Sequence, residues 1–380
     1  MYDLVDYASM IAFKGRTSAY AHALEARVTP GSVVLDIGAG TGILSFLACR
    51  AGASKVYAVE SGDIIQLARD TATDNGFSSR IEFIQDLTTE IELPEKVDGI
   101  VCDIHGVLPL FGKNIVSILD ARDRFLKPGG WILPARETMW AALASCPSLH
   151  HALVNAWDTE YGFDFSRTRL KAVNSLRSAR LSPEDLLVAP QRWAALDYKD
   201  LRSPSVRGEL SWLVERNATA HGVGMWYEAE TPPAAGYGNS PAVSEPYVYR
   251  HAFFPLPEAV EVIAGDQVTV SIRADFVNDD YIWSWDTTVK SDSGDAKARY
   301  RQSIFIGATL SHQKLRRRAA GFVPGPNQDW HIDKKLLELI GCGISLGEIA
   351  SALLEEFPSR FENWNEALAR VADRSETYSK

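Results

Sequence analysis

The chain has 380 residues, 46% of them hydrophobic, and a formal net charge of -10. Its length supports two or three packed domains, and its acidic balance excludes the broad basic footprint that nonspecific nucleic-acid binding requires. No apolar run reaches the roughly 18–20 residues of a membrane helix. The first residues lack the basic start of a signal peptide. The four cysteines fall singly, with no CxxC pair, so the expectation is a cytoplasmic protein with reduced thiols. Of the eight histidines, none shows metal-ligating spacing, and His150 and His151, being adjacent, point apart on a helix or a strand.

From residue 32 to about 134, strand and helix signals alternate. Apolar runs at Val33–Ile37, Lys55–Val59, 80–84, Val97–Cys102 and 131–133 read as strands, with helical patterns between them at 63–75 and Asn114–Phe125. This alternation predicts an α/β fold with a doubly wound, mostly parallel Rossmann-like sheet, whose ligands bind beyond the carboxyl ends of the strands. Asp36, Glu60, Asp86 and Asp103 all fall at such ends.

The first strand runs into Asp36-Ile37-Gly38-Ala39-Gly40-Thr41-Gly42, a tight turn followed by an amphipathic segment. Dinucleotide sites place a third glycine three residues after the second. Here it follows after two, and Ile43 occupies the dinucleotide position. Such a turn suits a ligand without a pyrophosphate. S-adenosylmethionine fits, with its methionine part along Gly38, Gly40 and Gly42 and its ribose hydroxyls on Glu60.

After residue 136 the texture changes. Short alternating runs at 208–215, 221–229, 247–254, 267–275 and 281–288, separated by Pro and Gly clusters, predict an antiparallel domain, either barrel or sandwich. A further strand is expected at 300–306. Residues 319–328 read as a linker. Three amphipathic helices follow, the second with Leu346, Ile349, Ala350, Leu353, Leu354 and Phe357 on one face and a capping box from Ser345 and Glu348. The domain expectation is 1–135, 136–310 and 330–380. The basic tract Lys314-Leu315-Arg316-Arg317-Arg318 reads as a solvated face.

Several motifs in order carry a resemblance over roughly residues 1–290. Met10-Ile11-Ala12-Phe13-Lys14-Gly15-Arg16-Thr17 with Tyr20, then 121–130, Tyr161-Gly162-Phe163-Asp164 and Gly236-Tyr237-Gly238-Asn239-Ser240-Pro241, resemble segments of the protein arginine methyltransferases. The resemblance implies a β-barrel after the nucleotide-type domain, a dimerisation arm near 167–188 and hence a homodimer, and Arg16 as the group that holds the cofactor's carboxylate. A guanidinium fork suits that task. It also implies Asp86, with Thr88 nearby, at the adenine.

The departures bear on chemistry. The family's two-glutamate hairpin reads here Cys102-Asp103-Ile104-His105-Gly106-Val107-Leu108-Pro109-Leu110-Phe111-Gly112, with Asp103 for the first glutamate and Gly112 for the second. The family's Thr-His-Trp loop reads Tyr247-Val248-Tyr249. A guanidinium has no free lone pair and a pKa above 12, and one carboxylate cannot reproduce a two-sided clamp. The expectation is therefore methyl transfer to a non-arginine acceptor in a peptide or small metabolite. Asp103 then contacts the substrate or orients His105, and His105 serves as the base. Tyr249 and His251 are further groups that approach the cleft. The alternatives are a divergent protein arginine N-methyltransferase and a catalytically silent cofactor- or peptide-binding scaffold. The three C-terminal helices resemble the small helical part of the winged-helix peptide chaperones of pyrroloquinoline quinone biosynthesis, which implies peptide recognition there.

Overall fold

The computed structural model describes residues 3–158, 161–243 and 249–378. It divides into two compact units, residues 1–308 and 309–380. The first begins with α1 (Leu4–Ala12) and α2 (Lys14–Arg27). These lead into β1 (Val33–Ile37), α3 (Ile43–Arg50), β2 (Lys55–Val59), α4 (Ile65–Asp74), β3 (Ile81–Ile84), β4 (Val97–Cys102), α5 (Asn114–Phe125) and β5 (Leu126–Leu133). The five strands pair in parallel in the order β3-β2-β1-β4-β5. Every residue of β1 is buried, as the β-branched and apolar run requires for a strand covered on both faces. The order reverses between β1 and β4, and ligands of open α/β sheets bind at such a switch point.

The chain continues through β6 (Arg136–Ala144), α6 (Pro147–Leu153), α7 (Ser166–Val173), β7 (Arg177–Ala179), β8 (Gln191–Asp197), β9 (Val206–Leu213), β10 (Ala218–Glu230), β11 (Tyr237–Gly238), β12 (His251–Val262), β13 (Gln267–Val277), β14 (Asp280–Lys290), β15 (Ala296–Ser303) and α8 (Ile304–Gly307). Two antiparallel sheets result. One has the order β7-β12-β10-β6-β8, with β11 on β10, and the other β15-β14-β13-β9. Phe254 of the first sheet packs on Trp283 and Trp285 of the second, with ring centroids 5.4 and 5.2 Å apart.

Several boundaries differ from the sequence expectation. Strand β6 was hidden because its second half, Ala141–Ala144, is buried on every residue and shows no alternation. β8 was missed as well. The strand expected from 247 is described from His251, and Tyr247 and Val248 lie outside the described residues. The run at 300–306 ends its strand at Ser303, whose hydroxyl accepts the Phe305 N–H and starts α8. The segment 167–188, expected as an arm, runs through α7 and β7 and touches the first antiparallel sheet at two places. β7 pairs with β12, and Leu187 N–H donates to Leu143 at 2.8 Å.

The second unit holds α9 (His312–Arg318), α10 (Gln328–Ile340), α11 (Leu346–Glu356) and α12 (Trp364–Tyr378). It has its own core of Ile332, Leu336, Ile349, Leu353, Phe361 and Val371. The capping box at Ser345 and Glu348 is formed, while Leu346, expected on the buried face, is exposed. Among the described residues no helix is long and apolar enough to cross a membrane.

Candidate active site

The turn after β1 is shaped by three left-handed glycines, Gly38, Gly40 and Gly42, with φ of +70°, +53° and +88°. Gly38 and Ala39 N–H groups donate to Val59 O at 2.8 and 3.0 Å, tying the turn to β2. A Cβ at Gly38 would stand 2.2 Å from Ile104 Cγ2, and one at Gly40 2.8 Å from Tyr7 Cε1. Glycine is thus required both for φ and for close approach. Gly42 caps α3.

Two cavities flank this turn. The larger, about 210 Å³, is lined by Glu60, Asp86, Thr88, Ile104, Asn114 and Ser117. Glu60 spans the turn, accepting from Gly40 N–H at 3.2 Å and Gly62 N–H at 2.8 Å. Asp86 is exposed at the rim. Thr88 is 2% exposed, and its hydroxyl has no hydrogen-bond partner among the described residues. A buried hydroxyl left unpaired in a cavity wall is costly without a ligand, so the cavity fits a polar molecule such as adenosine. The smaller cavity, about 40 Å³, is lined by Tyr7, Met10, Arg16, Gly40, Thr41 and Asp103, with α1 over it.

Asp36 was expected at the cofactor, and the structure corrects this. It is fully buried, lines neither cavity and accepts the Ser45 hydroxyl at 2.6 Å. Burial pushes its carboxyl up to about 7 against the Ser45 bonds. It pins β1 to α3 beneath the turn.

Arg16 and Asp103, at the smaller cavity, belong to a buried ionic network. The Arg16 guanidinium pairs through Nε with Asp103 Oδ2 and donates from Nη1 to Met10 O at 3.0 Å. Asp103 Oδ1 accepts from His105 Nδ1 at 2.8 Å and from the Tyr237 hydroxyl at 2.7 Å. The other ring nitrogen of His105 bonds Glu137 Oε1, and the Tyr198 hydroxyl donates to Glu137 Oε2. The imidazole stacks on Tyr227 with centroids 4.7 Å apart and planes 11° apart. The Asp103 side chain is 2% exposed, that of His105 3% and that of Glu137 0%.

Two cations and two carboxylates balance in this network. Burial alone would lower the His105 pKa, but the Glu137 and Asp103 carboxylates outweigh it and raise it to about 10. Burial alone would raise Asp103, and Arg16 and then His105 hold it well below the carboxylate range instead. His105 is therefore an imidazolium donating from both nitrogens. An imidazolium has no lone pair to take a proton, so the base role expected for His105 does not follow from this arrangement.

Other expected groups are dispersed. His251 accepts the Leu181 N–H at 2.8 Å within the barrel and lines neither cavity. Tyr249 does approach, with its ring 6.1 Å from that of His105 and its hydroxyl 3.5 Å from Met10 Sδ. Gly112, where a second carboxylate was missing, lies away from both cavities and donates to Asp280 Oδ1 at 3.3 Å. The group not foreseen is Glu137. The inward register of β6 reads Glu137, Met139, Ala141, Leu143, and a lone acid on that face was the available signal.

The fold and this site define a class I methyltransferase, and comparison with known proteins gives the family. Residues 15–135 match the profile of ribosomal protein L11 methyltransferase, and residues 135–290 that of the arginine methyltransferase oligomerization subdomain. Protein arginine N-methyltransferase 6 of Xenopus laevis is 31% identical over 285 residues, covering 71% of this chain and 83% of that protein. A probable protein arginine N-methyltransferase 6 of Arabidopsis thaliana is 31% identical over 245 residues, or 62% of this chain and 56% of that longer one. Among solved structures, the Trypanosoma brucei PRMT1 enzyme–prozyme complex with AdoHcy aligns with a TM-score of 0.72 at 23% identity, covering 78% of this chain and 96% of that one. The chain belongs to the protein arginine methyltransferase family and is an S-adenosylmethionine-dependent methyltransferase. The match stops short of the C-terminal unit.

Proposed function

We propose that this methyltransferase acts on an acceptor other than a guanidinium, in a peptide or small metabolite. The observation that carries the proposal is the commitment of Asp103. Among the described residues it is the carboxylate at the smaller cavity, and Arg16, His105 and Tyr237 already take up its oxygens. A guanidinium entering there meets a neutralised carboxylate. The geometry suits a nucleophile that brings its own lone pair, such as an amine, a hydroxyl or a carboxylate.

S-adenosylmethionine supplies an electrophilic methyl group. The residues placed to hold it are Glu60, Asp86 and Thr88 at the adenosine cavity, with Gly38, Gly40 and Arg16 at the methionine end. His105 and Asp103 are positioning groups. They fix Arg16 and Tyr237, and so the shape of the methyl end, because much of the rate of an in-line displacement comes from orientation.

The test is transfer of label from methyl-labelled S-adenosylmethionine to a cell extract, followed by acid hydrolysis. Label in small molecules or short peptides, and no methylarginine, is the expected result. Base-labile label would identify a carboxylate acceptor. Methylarginine overturns the proposal in favour of the activity for which the relatives are named. No label despite measurable cofactor binding points to a silent subunit, a reading suggested by the enzyme–prozyme pairing of the trypanosome neighbour.

We further propose a homodimer. Tyr161, Phe163, Phe165 and Leu170 are exposed large apolar groups just ahead of and within the segment expected as an arm, and such a cluster marks an interaction surface. Phe163→Asp with Leu170→Asp is expected to halve the mass measured by sedimentation. An unchanged dimer would place the contact elsewhere.

A further inference from the structure

A second cleft lies behind the ionic network, at the seam between the parallel sheet and the first antiparallel sheet. Its volume is about 630 Å³, larger than either cavity at the glycine turn, and within the range of small-molecule sites. Arg27, Arg122, Lys127, Arg136, Lys199 and Arg202 line it, against Asp123, Asp197 and Glu230. Six basic groups against three acidic ones is a local inversion in a chain of net charge -10.

Three of these cations are structural. Arg122 donates to Tyr198 O at 2.9 Å, Leu201 O at 2.7 Å and Asp123. Arg136 pairs with Asp197 at 2.8 Å, and Lys127 with Asp98 at 2.8 Å. Arg27, Lys199 and Arg202 make no ion pair among the described residues, and Arg27 meets only the Pro232 carbonyl at 3.2 Å. The cleft lining therefore keeps an excess of positive charge on one concave surface, Arg202 being partly offset by Asp123, and such a surface concentrates anions. One wall is the indole of Trp131, seated where a side chain on Gly99 would stand (Cε2 lies 2.1 Å from a Cβ built there). An indole beside cations suits a phosphate carrying a planar ring.

We propose that this cleft binds a small phosphorylated molecule of the nucleotide class, with the phosphates on Arg27, Lys199 and Arg202 and the ring against Trp131. The ligand sits back to back with the methyl end. Arg136 and Asp197 face the cleft, whereas their neighbours Glu137 and Tyr198 face the buried network, by the alternation of side chains along the paired strands.

The experiment is calorimetric titration of the full chain, kept in saturating S-adenosylhomocysteine so that the adenosine cavity is filled. Inorganic pyrophosphate and ATP are the probes. Both are expected to bind saturably with one site per chain and Kd below ~1 mM, ATP the more tightly through its ring. Lys199→Glu with Arg202→Glu, both exposed, is expected to weaken both at least tenfold, since each removes a charge-assisted contact. Equal binding of pyrophosphate and ATP would assign the cleft to a simple polyphosphate and overturn the nucleotide class. Absence of saturable binding, binding unaffected by the double variant, or binding of an oligonucleotide without binding of ATP would overturn the site itself.

Discussion

Glu137→Ala is expected to lower the stability of the first unit by about 3–5 kcal/mol, the range for removing one partner of a buried ion pair. Glu137 is fully buried and carries both the His105 ring and the Tyr198 hydroxyl. Its loss leaves a buried imidazolium with one carboxylate and a buried phenol with no acceptor. Stability also follows pH in a defined direction. The His105 pKa rises from 6.5 to about 10 on folding. Its contribution is thus complete below about 6.5 and is lost as pH rises to 10. Asp103 is depressed, so its contribution holds above the carboxylate range and fades below it. Urea unfolding followed by tryptophan fluorescence at pH 6, 8 and 10 should show a steady fall in the wild type and a shallower one in Glu137→Ala. A flat wild-type profile would dismiss the buried imidazolium. His105→Leu with Glu137→Leu removes both charges together and is expected to cost less than Glu137→Ala alone, because no ion is stranded.

Binding of S-adenosylhomocysteine is expected to fall at least ~100-fold in Glu60→Ala, from the loss of two charge-assisted hydrogen bonds to the ribose. Glu60 also braces the turn through Gly40 and Gly62, so the alanine variant tests two functions at once. Glu60→Gln separates them. It keeps an oxygen for one of the two backbone N–H groups but gives up the other acceptor and the charge, and is expected to lose less thermal stability than the alanine variant while binding about tenfold more weakly than the wild type. Unchanged affinity in Glu60→Ala, measured by calorimetry, would remove Glu60 from the site.

The glycine turn and its acidic neighbour were legible in the sequence because they are local. A strand, three glycines and an acid on the next strand end fix a turn within 30 residues, and Gly38, Gly40 and Glu60 stand where that pattern requires. Asp36 was misjudged because a strand-end acid can face its own helix as readily as the cavity. The ionic network is not local. Asp103, Glu137, Tyr198 and Tyr237 come from just past the end of β4, from β6, from just past the end of β8 and from β11, and no spacing rule links four strands of two sheets. The separation of Asp103 and His105 by two residues did foretell that they converge. What it did not show was the carboxylate on the far side of the ring, which changes His105 from a proton acceptor into a fixed cation.

The C-terminal unit has a core of its own and contains an exposed segment with Pro324 and Pro326 between α9 and α10. That has a thermodynamic meaning. A chain with two separate cores is not bound to unfold in one step, so a single midpoint temperature does not define its stability. A loss of stability caused by a substitution in one core is to be read from the transition of that unit alone.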